Sequence, residues 1–367
     1  MRAIVFSLGV IIAAATAIPL ATAQTVDVPQ VENARLEKKA PAGPLAAEVK
    51  AWAGKAEQPQ WLGYAVPQIG RDRAMCCDNY DGSWRSGCGR CRLEEPGNGT
   101  NMTSRDDART TKLEAPRSIA VLFRAENKRV TKIRVVSMDC SVDAGGLPFL
   151  WLSVVKPAES VALLETFVHG SDLDDRDDEH VSHSALTAIA LHADAAADRA
   201  LESFTRSSEP ESLRKQTAFW LGAAREKAGL VGLEKMAKSD PSSDVRAQVT
   251  FALSVSHEQG AVEEMIRVAH DDQSSHVRGQ ALFWLAQKAG QKAVGAITGA
   301  IENDPDTDVK KKAVFALSQL PKDEGVPKLI EVAQTNRNRE VRKQAMFWLG
   351  QSHDPRALVF FEKILSQ

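Results

Sequence analysis

The carboxyl-terminal half of the chain repeats one helical pattern six times. Each unit opens on an aliphatic residue, and these residues follow one another every 32 positions: Val181, Leu213, Val245, Val277, Val309 and Val341. A second amphipathic run completes each unit, so the unit is predicted to be a helical hairpin. Such a hairpin cannot bury its apolar face alone and must stack on its neighbours. The pattern therefore predicts a mostly α-helical chain with an α-solenoid over residues 181–367.

Two of the segments between units carry an aspartate followed by proline, at Asp240-Pro241 and Asp304-Pro305. Proline ends one helix, and an acidic or hydroxyl side chain caps the next. Together with the first-helix pattern Val-Arg-x-x-Ala-x-x-Ala-Leu-Gly, these turns resemble the short HEAT-like repeats of the phycobilin-lyase type, here in an exported bacterial protein. The resemblance covers about half of the chain. It implies a scaffold or binding fold, with a chromophore-attaching lyase as the enzymatic alternative.

Two rows of side chains lie outside the expected core of the first helices. Units two to six have phenylalanine at position seven, and position four is glutamine or, once, lysine. The candidate binding residues are Gln216, Phe219, Gln248, Phe251, Gln280, Phe283, Lys312, Phe315, Gln344 and Phe347. Stacked helices place equivalent positions about 10 Å apart, so the rows are predicted to hold an extended peptide. Alternatively, phenylalanine fills the grooves between helices and glutamine satisfies nearby backbone groups.

Two further rows favour packing over binding. Position eight alternates in size and is predicted to interdigitate between units: Trp220, Ala252, Trp284, Ala316 and Trp348. Position two is basic and is predicted to pair with aspartates of the turns rather than with an anionic ligand: Arg214, Arg246, Arg278, Lys310 and Arg342.

The first 23 residues have the pattern of a secretory signal. Arg2 supplies the positive end, an apolar stretch runs from Ile4 to Ala17, and Pro19 precedes a small-residue cleavage site at Ala23/Gln24. An uncleaved membrane anchor is the alternative, because the apolar run nearly spans a bilayer. We expect cleavage, a periplasmic or extracellular location, and no membrane span after the leader is removed.

The rest of the amino-terminal half is predicted to contain three parts. Residues 24–60 have the composition of a linker with a short helix. Residues 61–152 form a small α+β module, in which Ser118–Arg124 and Val130–Val136 are strand-like and joined as a hairpin. Residues 153–180 form a capping helix and an acidic loop.

The acidic loop carries six carboxylates and is followed by two histidines: Asp172, Asp174, Asp175, Asp177, Asp178, Glu179, His180 and His183. Clustered carboxylates attract Ca²⁺, but the spacing lacks the glycine and terminal glutamate of an EF-hand loop. We therefore expect a solvated loop and assign no metal site.

All five cysteines fall in the α+β module: Cys76, Cys77, Cys88, Cys91 and Cys140. In an exported protein they are predicted to form two disulfides and leave one thiol. The proposed pairing ties Cys140 to the loop between Cys76 and Cys91. A thiolate zinc site and a redox pair formed by Cys88 and Cys91 remain alternatives.

The charge balance and the absence of common catalytic motifs argue against several classes of protein. The 367 residues include 46 Lys and Arg against 48 Asp and Glu, so the chain lacks the basic field of nucleic-acid-binding proteins. No nucleophile elbow, zinc-protease motif, phosphate loop or dinucleotide fingerprint occurs. The predicted function is an exported, non-enzymatic scaffold that binds a protein or peptide without a cofactor. The alternative is a thiol-disulfide or chromophore-lyase-type enzyme that uses the cysteine module.

Overall fold

The computed structural model describes residues 28–70, 91–94, 117–138, 140–169 and 176–366, with side chains from Glu179 onward in the last range. The predicted signal, Cys76, Cys77, Cys88 and most of the acidic run lie outside the described residues. None of the described helices combines the length and apolarity needed to cross a membrane.

The amino-terminal module contains two small sheets and two helices. The three-stranded sheet has the order β1-β7-β4 and the five-stranded sheet the order β2-β8-β3-β5-β6. The strands are β1 Val31–Glu32, β2 Arg35–Lys39, β3 Gln60–Pro67, β4 Cys91–Arg92, β5 Ser118–Glu126, β6 Arg129–Ser137, β7 Val142–Asp143 and β8 Pro148–Leu152. The helices are α1 Leu45–Ala53 and α2 Pro157–His169.

The predicted hairpin is confirmed as β5 and β6, which pair antiparallel. Its turn is Asn127-Lys128, and both residues have positive φ, 53° and 62°. Two successive left-handed residues match the twist of the strands, and asparagine tolerates this conformation well.

The linker prediction for residues 24–60 is corrected, although α1 is the short helix it contained. Strands β1 and β2 lie in this segment, and β2 pairs in parallel with β8, with Arg35 opposite Pro148. Every residue of β2 is exposed, and four of its five side chains are charged. A charged edge strand discourages unwanted pairing and has the composition of a linker. Its partner lies over a hundred residues away, so local sequence does not predict the pairing.

The central strands β3 and β5 of the five-stranded sheet are buried on both faces. Along β3, Leu62, Tyr64 and Val66 join the core that runs on into the helical repeats, while Trp61 and Ala65 point into a second core. This alternation is the two-residue period of a strand. The module and the repeats therefore share one continuous apolar core rather than forming separately packed units.

Six helical hairpins follow the module. The hairpins are α3 Arg176–Leu191 with α4 Ala195–Phe204, α5 Glu211–Ala224 with α6 Glu226–Ser239, α7 Ser243–Val255 with α8 Gly260–Asp271, α9 Ser275–Ala289 with α10 Gln291–Asn303, α11 Thr307–Ser318 with α12 Lys322–Thr335, and α13 Arg339–Gln351 with α14 Pro355–Leu365. The first helices pack on one another in order, and their apolar positions form the core. The predicted α-solenoid is confirmed, and its first helix begins at Arg176, before Val181.

Three of the four arginines at position two pair with turn aspartates, as predicted, whereas Arg342 does not. Arg246 Nε and Nη2 donate to the two carboxylate oxygens of Asp272, at 2.8 and 3.0 Å, in a bidentate contact. Its Nη1 donates to the main-chain oxygen of Asp240, at 2.9 Å. Arg214 with Asp240 and Arg278 with Asp304 repeat the bidentate contact. Each such arginine therefore links the turn before it to the turn after it.

At unit five, both members of the arginine–aspartate pair are replaced. Lys310 replaces arginine, and Asn336 stands where the preceding turns have aspartate. Lys310 Nζ donates instead to the main-chain oxygen of Glu302, at 2.8 Å, and Asn336 Oδ1 still accepts from the Asn338 amide, at 2.9 Å. Because Asn336 is uncharged, this turn leaves no buried carboxylate without a bidentate arginine, which would be costly.

We predict that Arg278→Ala lowers the free energy of unfolding by about 3 kcal/mol, because it leaves the buried Asp304 carboxylate without its cation. Arg342→Ala is the matched control. Arg342 holds the same helix position but donates only to main-chain oxygens of Asn336 and Arg337, so its loss should cost about 1 kcal/mol. Urea unfolding followed by circular dichroism measures both. Equal losses would show that the carboxylate contact adds nothing.

Candidate functional site

Eight aromatic rings form an unbroken row across the first helices of units two to six. Successive ring centroids lie 4.8 to 6.1 Å apart, which is the range of favourable aromatic contacts. In order along the row, the rings are Trp220, Phe219, Phe251, Trp284, Phe283, Phe315, Trp348 and Phe347. Most of the phenylalanines are half-buried, and Phe347 at the end of the row is 54% exposed.

The contacts between units alternate with the residue at position eight. Where the next unit has Ala252, Phe219 stacks on Phe251, with centroids 6.1 Å apart and planes 13° from parallel. Where the next unit has tryptophan, Phe251 meets the indole of Trp284 at 4.8 Å. The alternation recurs in the following units. The surface therefore repeats every two units, and its rings are closer together than the 10 Å expected.

The predicted role of the tryptophans as core spacers is confirmed for Trp220, which is buried in the core, and corrected for the other two. Trp284 and Trp348 are only half-buried, whereas Ala252 and Ala316 at the same position are fully buried. Each of these two indoles lies against the phenylalanine of the preceding unit. An indole is too large for the space that alanine fills between first helices, so it joins the aromatic row instead.

The position-four row lies one helical turn before the phenylalanines, on the same side of each first helix. Gln248, Gln280 and Gln344 are half-buried, and their amides make no hydrogen bond to any residue that the structure describes. Gln216 differs, because its Nε2 contacts His183 Nε2. The aliphatic part of Lys312 covers a glycine of the preceding unit. The aromatic row and the position-four row together are called the aromatic–amide face below.

A buried polar chain at the junction of the module and the repeats was not predicted from the sequence. The Tyr64 hydroxyl lies 2.7 Å from Ser160 Oγ, and His192 Nε2 lies 2.8 Å from the same oxygen. His192 Nδ1 lies 2.6 Å from the main-chain oxygen of Ala188. Ser160 and His192 have no exposed surface. A serine beside a histidine resembles the start of a nucleophilic site, but a substrate cannot reach this one, and its role is to join sheet, α2 and α3.

Burial determines the protonation states of Tyr64 and His192. Desolvation lowers the pKa of His192 to about 4, partly offset by its hydrogen bond to Ala188. Desolvation also raises the pKa of Tyr64, against the opposing effect of the Ser160 hydrogen bond. Both groups are therefore neutral at physiological pH.

We predict that stability falls as pH drops from about 6.5 towards about 4. The unfolded histidine binds a proton near its ordinary pKa of 6.5, while folded His192 does not until about 4. Neutral His192 therefore favours the folded state fully above pH 6.5, and the free energy of unfolding falls by roughly 3 kcal/mol as the pH drops through this window. Urea midpoints between pH 4 and 7 measure it. His192→Asn should flatten the slope, and an unchanged slope would assign it to other groups.

The two described cysteines lie together at the edge of the second core. Cys91 in β4 is opposite Val142 of β7, and its amide donates to the main-chain oxygen of Ser141, at 2.9 Å. Cys140 precedes β7, both cysteines are buried, and both are disulfide-bonded. Their pairing stays a prediction, because the other three cysteines lie outside the described residues.

The predicted acidic loop is described only at its end. Glu179 lies in the first turns of α3, and its carboxylate is 3.8 Å from His183 Nε2. Desolvation lowers the pKa of His183, with Glu179 opposing it. Among the residues with described side chains, no group of three or more His, Cys, Asp or Glu is placed to hold a metal ion.

Comparison with protein families agrees with this architecture. Residues 262–350 and 294–367 match the family model described as HEAT repeats. The matched stretch runs from the second helix of unit three to the end of the last hairpin. The matched residues therefore form HEAT-like repeats, and the hairpins before them share the same 32-residue period.

Two solved structures are similar to part of the chain. Human deoxyhypusine hydroxylase in complex with glycerol is 15% identical, with a TM-score of 0.29, over 56% of this chain and 90% of that chain. The CpcE–CpcF complex of phycocyanin lyase from a Nostoc species is 20% identical, with a TM-score of 0.30, over 54% of this chain and 77% of that chain. Comparison with curated proteins finds no match.

Proposed function

We propose that this protein is an exported, non-enzymatic scaffold whose aromatic–amide face binds an extended segment of a partner protein. The observation that carries the proposal is the unbroken row of eight rings beside three amide groups without partners in the described part of the chain. A row of this kind offers both apolar and hydrogen-bonding contacts over several units, and extended HEAT-like arrays use such surfaces for binding.

The chemistry of the face suits a peptide backbone. A glutamine amide has two donors and an acceptor, so it can pair with both the N–H and the C=O of an extended chain. The exposed edges of the aromatic rings then contact the side chains of that peptide. Main-chain pairing supplies affinity that is independent of sequence, while the rings select large apolar side chains.

The absence of enzymatic activity is part of the proposal. The arrangement that most resembles a nucleophilic site, Ser160 with His192, has no exposed surface. Cys91, half of the predicted redox pair, is 1% exposed, whereas a redox nucleophile needs access to its substrate. These observations favour a binding role over thiol-disulfide catalysis.

The export of the chain is proposed from the leader pattern and from the cysteines. Disulfides persist in oxidising compartments and are rare in the cytosol. We further propose that Cys76, Cys77, Cys88, Cys91 and Cys140 form two disulfides that stabilise the small module.

We predict that selection of random peptides against the chain without residues 1–23 yields ligands rich in large apolar residues. Gln248→Ala with Gln280→Ala should weaken their binding at least about tenfold, because two hydrogen bonds to the peptide backbone are lost. Fluorescence anisotropy of labelled peptides measures the affinity.

Gln334→Ala is the matched control, because Gln334 is an exposed glutamine on the second helix of unit five. It should leave the affinity unchanged. If the double variant keeps wild-type affinity and wild-type Tm, the amide row is not the binding surface.

We also predict that alkylation of the denatured, unreduced protein modifies one of its five cysteines, since two disulfides protect four. Intact mass spectrometry counts the adducts, and prior reduction should raise the number to five. Three or more adducts without reduction would contradict the two-disulfide module.

A further inference from the structure

The turn inside each odd-numbered hairpin presents two main-chain carbonyl groups, at positions ten and twelve of the unit. In unit one these belong to Ala190 and His192, and both accept from Arg225 Nη1, at 3.3 and 2.6 Å. In unit three they belong to Ser254 and Ser256, and both accept from Lys288 Nζ. In each case the following unit supplies a cation to the carbonyl pair.

Unit five repeats the carbonyl pair but not the cation. The equivalent carbonyls are those of Ser318 and Leu320, 64 residues after the pair of unit three. Ser352 replaces Lys288, and its hydroxyl donates to the main-chain oxygen of Leu349, at 2.7 Å. His353 replaces Arg225 and is exposed. No residue in the described part of the chain donates to the Ser318 or Leu320 carbonyl.

A cavity of ≈ 160 Å³ lies at this place, between units five and six. Ser318, Leu320 and Ser352 line it, together with Trp348. The Trp348 Nε1–H is itself buried, has no acceptor among the described residues and offers no surface to an occupant. The cavity therefore presents the two carbonyl acceptors, whose counterparts in units one and three bind a cation.

The units differ in which cation they suit. In unit one, Asp198 accepts from two further nitrogens of the Arg225 guanidinium, at 2.9 and 2.6 Å. The equivalent position is Val262 in unit three, which binds the lysine, and Val326 in unit five, where it lines the cavity. Without that carboxylate, a guanidinium would leave nitrogens unpaired. Unit five therefore resembles the lysine-binding unit.

Charged groups near the cavity lie on α12. Lys322 lines the cavity and is exposed, so water screens its repulsion of a second cation. Two residues later, Glu324 has a buried carboxylate oxygen with no hydrogen-bond partner among the described residues. Asp354, at the start of α14, pairs with Arg356.

We propose that this cavity binds the ammonium group of a lysine from a partner protein, on the Ser318 and Leu320 carbonyls. The ammonium group takes the place that the Lys288 ammonium holds on the Ser254 and Ser256 carbonyls of unit three. The site shares Trp348 with the aromatic–amide face, but its carbonyl pair lies outside that face, and the proposal stands whether or not the face binds a peptide.

The test uses the Trp348 indole signal in NMR spectra of the chain without residues 1–23, labelled with ¹⁵N-tryptophan. The probe is Nα-acetyl-lysine amide, and the comparison ligand is Nα-acetyl-norleucine amide, which lacks only the ammonium group. We expect a saturable shift with the lysine compound and at least about tenfold weaker binding of the norleucine compound, as for the loss of a charged hydrogen bond.

Ser352→Lys places the side chain of Lys288 in the equivalent position of unit six and should abolish the shift. Gly350→Lys is the matched control: it adds the same charge at an exposed position with no neighbour within 4 Å, and it should keep the shift.

Several results would overturn the proposal. They are equal binding of the two ligands, tighter binding of the arginine analogue, the same shift with potassium chloride alone, or full binding by Ser352→Lys. The ligand comparison uses the unaltered protein, so it decides the matter even if a variant fails to fold.

Discussion

The bidentate contact between an arginine and the aspartate of the following turn determines how the hairpins stack. Arg246 contacts the turn on either side of its helix, so it couples two successive hairpins through one rigid guanidinium group. A buried ion pair of this kind gives little net stability, because desolvation offsets much of the Coulomb attraction. Its value lies in geometry. It fixes the relative placement of the first helices, and the aromatic row depends on that placement.

The polar chain of Tyr64, Ser160 and His192 has a similar role at the other end of the array. It links a strand, a helix of the module and the first repeat helix within a continuous apolar core. The module therefore closes the exposed end of the repeat stack, which terminal units of solenoid proteins require. Because Tyr64, Ser160 and His192 are buried and neutral, they hold this junction without a charge to desolvate.

Periodicity made the repeats predictable. The spacing of 32, the apolar stripe and the acidic turns predicted the hairpins and the arginine–aspartate pairs, because both depend on contacts between equivalent positions. The strand β2 could not be predicted, since its hydrogen bonds come from β8, far along the chain. The candidate binding row was correctly placed on the first helices, but its ring contacts were not. Whether Phe251 meets a phenylalanine or an indole depends on the neighbouring unit at position eight.

The alternation of tryptophan and alanine has a consequence for how such an array can change in length. A single added or deleted hairpin would put two tryptophans or two alanines at position eight of neighbouring units, which would interrupt the alternation of phenylalanine stacking and phenylalanine–indole contacts. Gene-level duplication or protein engineering can therefore extend the array without disruption only in pairs of hairpins.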